Sequence, residues 1–141
     1  MPEDELDPFT RGLIADLREH DGVVTSGPMA GRQLMILTTT GAKTAKPRTA
    51  IVTYTRDGDR YVIAGTKSGA PTHPAWYRNL LVDPNVTVEA GGETFPARAT
   101  VTEGDERARL WDRHAAERPE FRDYPGMTDR VIPVIVLDRA A

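Results

Sequence analysis

Residues 49–67 read TAIVTYTRDGDRYVIAGTK. The run is dense in β-branched and aromatic side chains, which fit a pleated, half-buried surface better than a helix. It breaks once, at Asp57-Gly58, a dipeptide that favours the left-handed backbone of a type I′ hairpin loop. The stretch therefore predicts two antiparallel strands, 49–56 and 60–67. Upstream, QLMILTTT (33–40) predicts another strand, joined to the first by a turn through TGAKTAKPR that Gly41 and Pro47 punctuate. Downstream, VTVEA, Gly91-Gly92 and ETFPARATVT predict a second hairpin. VIPVIVLD (131–138) predicts a last strand, and Pro133 puts its start at an edge or a bulge because proline cannot donate to a ladder.

Helical spacing is confined to three stretches. Leu13, Ile14 and Leu17 recur at helical intervals within FTRGLIADLREH (9–20). Pro74 suits the first turn of a helix that continues through AWYRNLLVDP, with Trp76, Asn79 and Leu80 on one face. DERARLWDRHAAER predicts a third helix, which stops before Pro119, with Thr102 and Asp105 placed as a near capping box. GVVTSGPMAGR (22–32) and SGAPTHP (68–74) read as loops, and no repeat is visible. Strands joined by short turns dominate. The fold class expected is mostly β with peripheral helices, an antiparallel sheet closed into a small barrel. The pattern argues against a doubly wound parallel sheet, which needs strand–helix alternation throughout. Residues 1–29 are expected to form a helical arm and loop, and residues 30–141 the barrel.

The 141 residues suit one compact domain. There is no cysteine, hence neither a disulfide framework nor a thiolate site. No apolar run approaches the roughly 20 residues of a bilayer span, and MPEDELDPFTRGL lacks the features of a signal peptide. A cytoplasmic protein is expected, with at most peripheral contact with a membrane. Net charge is −3, but residues 22–82 hold eight bases and two acids between acidic flanks. Lys43, Lys46 and Arg48 fall within six residues of that cationic island. An acidic chain with one local cationic patch suits a small anionic ligand. A nucleic-acid module would set stacking aromatics beside the basic loop, and only Tyr54 and Tyr61 are near in sequence.

Several chemistries are absent. His20, His73 and His114 fall in no metal-ligand spacing, so no metal site is expected. Ser26 and Ser68 are the only serines, and neither lies in GxSxG. Gly41-Ala42-Lys43-Thr44 lacks the upstream glycine of a P-loop and leads into a strand. GxGxxG is missing as well. A chain without such sets that still does chemistry takes it from a bound cofactor.

Four separated motifs then stand in order: TTTGxKxxxPR, YxRDGDRYV, GAPxHPxWYxNL and TDRxIPVxVL. With them the chain resembles the deazaflavin-dependent nitroreductase family of actinobacteria over about residues 30–138. The resemblance implies a split β-barrel related to FMN-binding flavin reductases. It implies reduced coenzyme F-420, an 8-hydroxy-5-deazaflavin whose tail carries a phosphodiester and glutamates. Lys43 and Arg48 match the family's phosphate-loop cations, with Lys46 as a helper. The further cation often found at the position of Ala42 is missing here. Thr66, Lys67, Ser68 and Gly69 are expected along the ring, and Trp76 and Asn79 on the coenzyme side of the WYxNL helix. Tyr54 matches a tyrosine near the substrate pocket, and Thr66, at a position where the family puts a hydroxyl near the ring, is expected on the substrate side as well.

Within RPEFRDYPG (118–126), some relatives carry three tyrosines where this chain has Arg118, Phe121 and Tyr124. Phe121 and Tyr124 are expected to line the substrate side, and Tyr124 or Tyr54 to supply a proton. The implied activity is hydride transfer from ring C5 to quinones, activated enones, coumarin- or aflatoxin-type lactones and nitroaromatics. An FMN-dependent oxidoreductase on the same barrel and a noncatalytic deazaflavin carrier remain as alternatives. The expected partner is a small molecule, and the expected assembly a monomer or weak dimer.

Overall fold

The computed structural model describes residues 6–25, 27, 30, 33–65, 73–117, 122 and 132–140. In chain order these form α1 (Pro8–Glu19), β1 (Leu34–Thr40), β2 (Pro47–Thr53), β3 (Thr55–Asp57), β4 (Arg60–Ala64), α2 (Ala75–Val82), β5 (Asn85–Ala90), β6 (Glu93–Val101), α3 (Gly104–Glu117) and β7 (Val134–Arg139). The strands make one seven-stranded sheet in the order β2-β1-β5-β6-β7-β4-β3. Every pairing in it is antiparallel. The sheet's two edge strands, β2 and β3, are separated in the chain by Tyr54 alone. A sheet whose opposite edges are one residue apart must curl, and this one curls into a split barrel.

That topology corrects the reading of 49–56 as one strand. Its first part pairs with β1, from Leu34↔Thr53 to Thr40↔Pro47. Its last part pairs with β4, from Thr55↔Val62 to Asp57↔Arg60. Gln33 makes the break. Its carbonyl accepts the Tyr54 N–H at 3.2 Å and its Nε2 donates to the Tyr54 carbonyl at 2.9 Å. Gln33 thus takes up both backbone groups of Tyr54, the N–H in continuation of the β1–β2 register and the carbonyl through its side chain. The hairpin stands where Asp57-Gly58 put it, but its loop is Gly58-Asp59. Gly58 alone there has positive φ, 61°, so the turn has the type II′ pattern rather than type I′.

The core fills the inside of the curl. Met35, Leu37, Ile63, Val88, Phe95, Ile135 and Leu137 point inward. The alternate residues are covered too. Leu34 and Ile36 lie under α1, against Ile14, Leu17 and Val24. Val62, Val134 and Val136 lie against Leu110 of α3. Coverage on both faces explains why LMIL and VIVL are unbroken apolar runs rather than alternating ones. Each such side chain contributes about 1.5–3 kcal/mol when fully buried.

Local signals place the helices. Asp7 caps α1, accepting from the Thr10 N–H at 3.0 Å, and Pro8 takes the first helical position. Arg18 then forks onto Glu89 of β5 through two bonds of 2.9 Å. Thr102 does not cap α3. Its N–H and hydroxyl both donate to the Val134 carbonyl, at 3.0 and 2.8 Å, and tack the β6–α3 link onto β7. β7 itself lies inside the sheet, between β6 and β4, rather than at an edge. Pro133 sits just ahead of it, outside the ladder, and accepts the Gly65 N–H at 2.9 Å. Among the described residues, no helix is long and apolar enough to cross a membrane.

Candidate functional site

The cationic stretch forms the loop between β1 and β2, which the Thr40↔Pro47 pair closes. Two backbone bonds shape it: Gly41 N–H to the Lys46 carbonyl, 2.8 Å, and Ala45 N–H to the Gly41 carbonyl, 2.9 Å. Ala45 sits in the left-handed region, φ 57°, which disfavours side chains beyond glycine. Gly41 is needed for space. A Cβ there would come within 2.6 Å of Thr44 Oγ1 and 3.2 Å of the Lys46 carbonyl. Thr44 Oγ1 in turn accepts from Arg48 Nη2 at 3.1 Å and from the Lys46 N–H at 3.3 Å. The half-buried Arg48 is therefore held before any ligand arrives.

Helix α2 lies beside this loop. Asn79 Oδ1 accepts the Ala42 N–H at 3.0 Å, and Asn79 Nδ2 donates to Thr39 Oγ1 at 3.0 Å. Between loop and helix runs a groove of about 400 Å³. Thr39, Gly41, Lys43, Arg48, Trp76, Arg78 and Asn79 are among its lining residues, and among the described residues no Asp or Glu is. Lys43, Lys46 and Arg78 pair with no carboxylate among the described residues. Lys43, Arg48 and Arg78, with no carboxylate among the described lining residues, repel one another until an anion enters.

The structure thus brings together Lys43, Arg48, Trp76 and Asn79 and leaves two expected residues apart from them. Lys46 belongs to the loop but does not line the groove; its backbone closes the loop instead. Tyr54 is not a lining residue either. It sits at the β2–β3 crossing, half-buried, its ring 5.4 Å from that of Tyr61, which is 5.4 Å from Phe95. Thr66, Lys67, Ser68, Gly69, Phe121 and Tyr124 lie outside the described residues. Sequence reasoning missed Arg78 and Thr39. The cation excess of residues 22–82 included Arg78, but helical spacing drew attention only to the buried face of α2.

A second charged cluster stands apart from the groove. Asp57 on β3 meets Arg109 at 3.2 Å and Arg113 at 3.3 Å from α3, and a short bond from Arg60. Hydrogen bonds from Arg109 and Arg60 hold its carboxyl down to about 2. The cluster fastens an edge strand to α3. Among the described residues, no three His, Asp or Glu side chains gather in a way that could hold a metal ion.

Fold and groove together define a split-barrel protein with a cationic mouth. That architecture matches a solved F420-H2 dependent reductase at TM-score 0.70 and 34% identity, over 76% of this chain and 95% of that one. A second solved structure, described as a domain-swapped dimer, matches at TM-score 0.72 and 30% identity, over 91% of this chain and 96% of that one. The family model for F420H(2)-dependent quinone reductase covers residues 10–139, and the chain belongs to that family. An F420H(2)-dependent quinone reductase of Mycobacterium tuberculosis is 39% identical over 135 residues, 87% of this chain and 89% of the relative.

Proposed function

We propose that this chain reduces quinones to hydroquinones with reduced coenzyme F-420, and that the groove between the β1–β2 loop and α2 holds the coenzyme's anionic tail. The reading is carried by Lys43, Arg48 and Arg78, which line one groove with no carboxylate among its described lining residues. A compact phosphate such as that of FMN is satisfied by one or two cations. A phosphodiester followed by carboxylates offers each cation a partner. Arg48 suits bidentate pairing with phosphate, and Lys43 acts as a point charge.

When bound, the reduced coenzyme supplies a hydride from ring C5. The quinone accepts it as two electrons and a hydrogen nucleus, and a proton from the chain or from water completes the hydroquinone. Tyr54 and Tyr124 are the proposed donors. Trp76 is proposed to form a flat wall beside the ring, with Thr66, Lys67, Ser68 and Gly69 along it. Tyr54, Thr66, Phe121 and Tyr124 are proposed for the substrate side, and Lys46 as an outer helper for the tail. The chain's main contribution is then orientation. Binding energy gathered at a tail far from the reacting atoms is spent on holding the ring in place.

The test is fluorescence titration of the purified chain with oxidised coenzyme F-420 and with FMN, followed by turnover of the reduced coenzyme with menadione. The expected result is saturable F-420 binding, weakened about tenfold or more by Arg48→Ala, and hydroquinone formed in step with coenzyme oxidation. Preference for FMN, or an Arg48→Ala variant that binds F-420 as the parent does, overturns the reading. An enone, a coumarin-type lactone and a nitroaromatic in the same assay set the breadth of the substrate range.

A further inference from the structure

We infer that Asn79 is a positioning residue for the groove: its buried amide fixes the cationic loop to α2 and so sets the spacing between the groove's two walls. This deepens the reading above and rests on it for its consequence in binding.

The orientation of the amide follows from its partners. A backbone N–H only donates, so the atom facing Ala42 must be Oδ1, and Nδ2 is left to donate to Thr39 Oγ1. Asn79 is 8% exposed and Thr39 2%. Water therefore has little access to either partner, and both bonds hold a defined geometry. Thr39 shares the inward face of β1 with Met35 and Leu37, so the amide is anchored in the barrel interior before it reaches the loop.

The residues next to this contact are what give it weight. Ala42 immediately precedes Lys43, and Asn79 immediately follows Arg78. One amide thus joins the backbone beside a cation on the loop wall to the backbone beside a cation on the helix wall. Arg48, the third groove cation, is tied into the same loop through Thr44 Oγ1. Each end of the amide is committed to one bond within the chain, and the role inferred for Asn79 runs through the loop it holds. Loss of the amide frees Ala42 and lets the loop cations drift from Arg78, which a long anionic tail feels and a bare ring does not.

The test uses the full chain with Asn79→Leu, a change that keeps the branched shape and removes both bonds, and with Thr39→Val, which removes one. Without ligand, amide hydrogen exchange at Ala42 is expected to speed up about tenfold in Asn79→Leu while the Ile63 amide of the core keeps its protection. Fluorescence titration then uses oxidised coenzyme F-420 and its tail-less ring–ribityl fragment. Asn79→Leu is expected to weaken the intact coenzyme about tenfold and the fragment less than about twofold. Added to Arg48→Ala, it is expected to cost the intact coenzyme only about threefold, because both changes act on one loop. Equal losses for the two ligands mean that the amide touches the ring and overturn the inference, as does unchanged exchange at Ala42. Unaltered F-420 binding by Arg48→Ala alone overturns the coenzyme reading instead, and exchange at Ala42 still decides the clamp. If Asn79→Leu fails to fold, Thr39→Val is read in its place: about threefold weaker binding of the intact coenzyme supports the clamp, and no loss overturns it.

Discussion

Arg48 Nη2 donates to Thr44 Oγ1 at 3.1 Å, across the base of the β1–β2 loop. The bond spends one guanidinium donor of a residue that lines the groove and leaves the others for a ligand. It holds a long side chain in one arrangement, so less rotamer entropy is lost when an anion binds. Thr44→Val keeps the shape and removes the perch. The expected effect is about three- to tenfold weaker binding of coenzyme F-420, with the melting temperature nearly unchanged. Arg48→Ala is expected to cost more than Thr44→Val, since it removes the charge as well. Equal affinities for Thr44→Val and the parent in a fluorescence titration contradict the perch.

Arg78 faces the same groove from the other wall and has no carboxylate partner among the described residues. Its charge is therefore available to a ligand. Arg78→Gln is expected to weaken the intact coenzyme about tenfold and leave the tail-less ring fragment unaffected. Binding of the intact coenzyme should also become less sensitive to salt, because one charged contact fewer is screened. Titrations at low and high salt check both points, and an unchanged salt dependence removes Arg78 from the site.

What could be read in the sequence was local. The turn at Asp57-Gly58, the hairpin at Gly91-Gly92 and the spacing of Leu13, Ile14 and Leu17 all describe neighbours in the chain. The break at Tyr54 was not legible, because Thr53, Tyr54 and Thr55 continue the β pattern without a flaw. A side chain from Gln33, 21 positions upstream, makes that break. Thr102 looked like a cap because Asp105 follows at the right distance, yet a carbonyl from β7 claims its hydroxyl. The division of labour among Lys43, Lys46 and Arg48 was equally hidden. It depends on Ala45 turning left-handed, a conformation that propensity does not assign to alanine.

Ala45 offers a direct check of the loop. Its φ of 57° costs a non-glycine residue roughly 1–2 kcal/mol. Ala45→Gly relieves that strain but adds freedom to the unfolded chain, for a net gain of about 0.5 kcal/mol. The expected rise in melting temperature is roughly 1–3 °C. Gly41→Ala has the opposite outcome, because its new Cβ lands 2.6 Å from Thr44 Oγ1 and displaces the Arg48 perch. It should lose stability and coenzyme affinity together. A Gly41→Ala variant that melts and binds as the parent does rules out this loop geometry.

The Asp57 cluster yields a pH signature unrelated to the groove. Hydrogen bonds from Arg109 and Arg60 lower its carboxyl from 3.8 to about 2 in the folded chain. A group with a depressed folded value contributes stability that is fully present above its unfolded value and lost as pH falls through the folded one. The window therefore runs from about pH 4 down to about pH 2. Arg109 and Arg113 are about half exposed, so screening by solvent reduces the contribution to about 1 kcal/mol. Asp57→Asn removes it and leaves three arginines facing one another between β3 and α3. Urea unfolding should find the variant about 1 kcal/mol less stable than the parent at neutral pH, with the gap closing as pH approaches 2. A gap that stays constant across that range means that packing at the β3–α3 contact, rather than the charge of Asp57, is what the substitution disturbs.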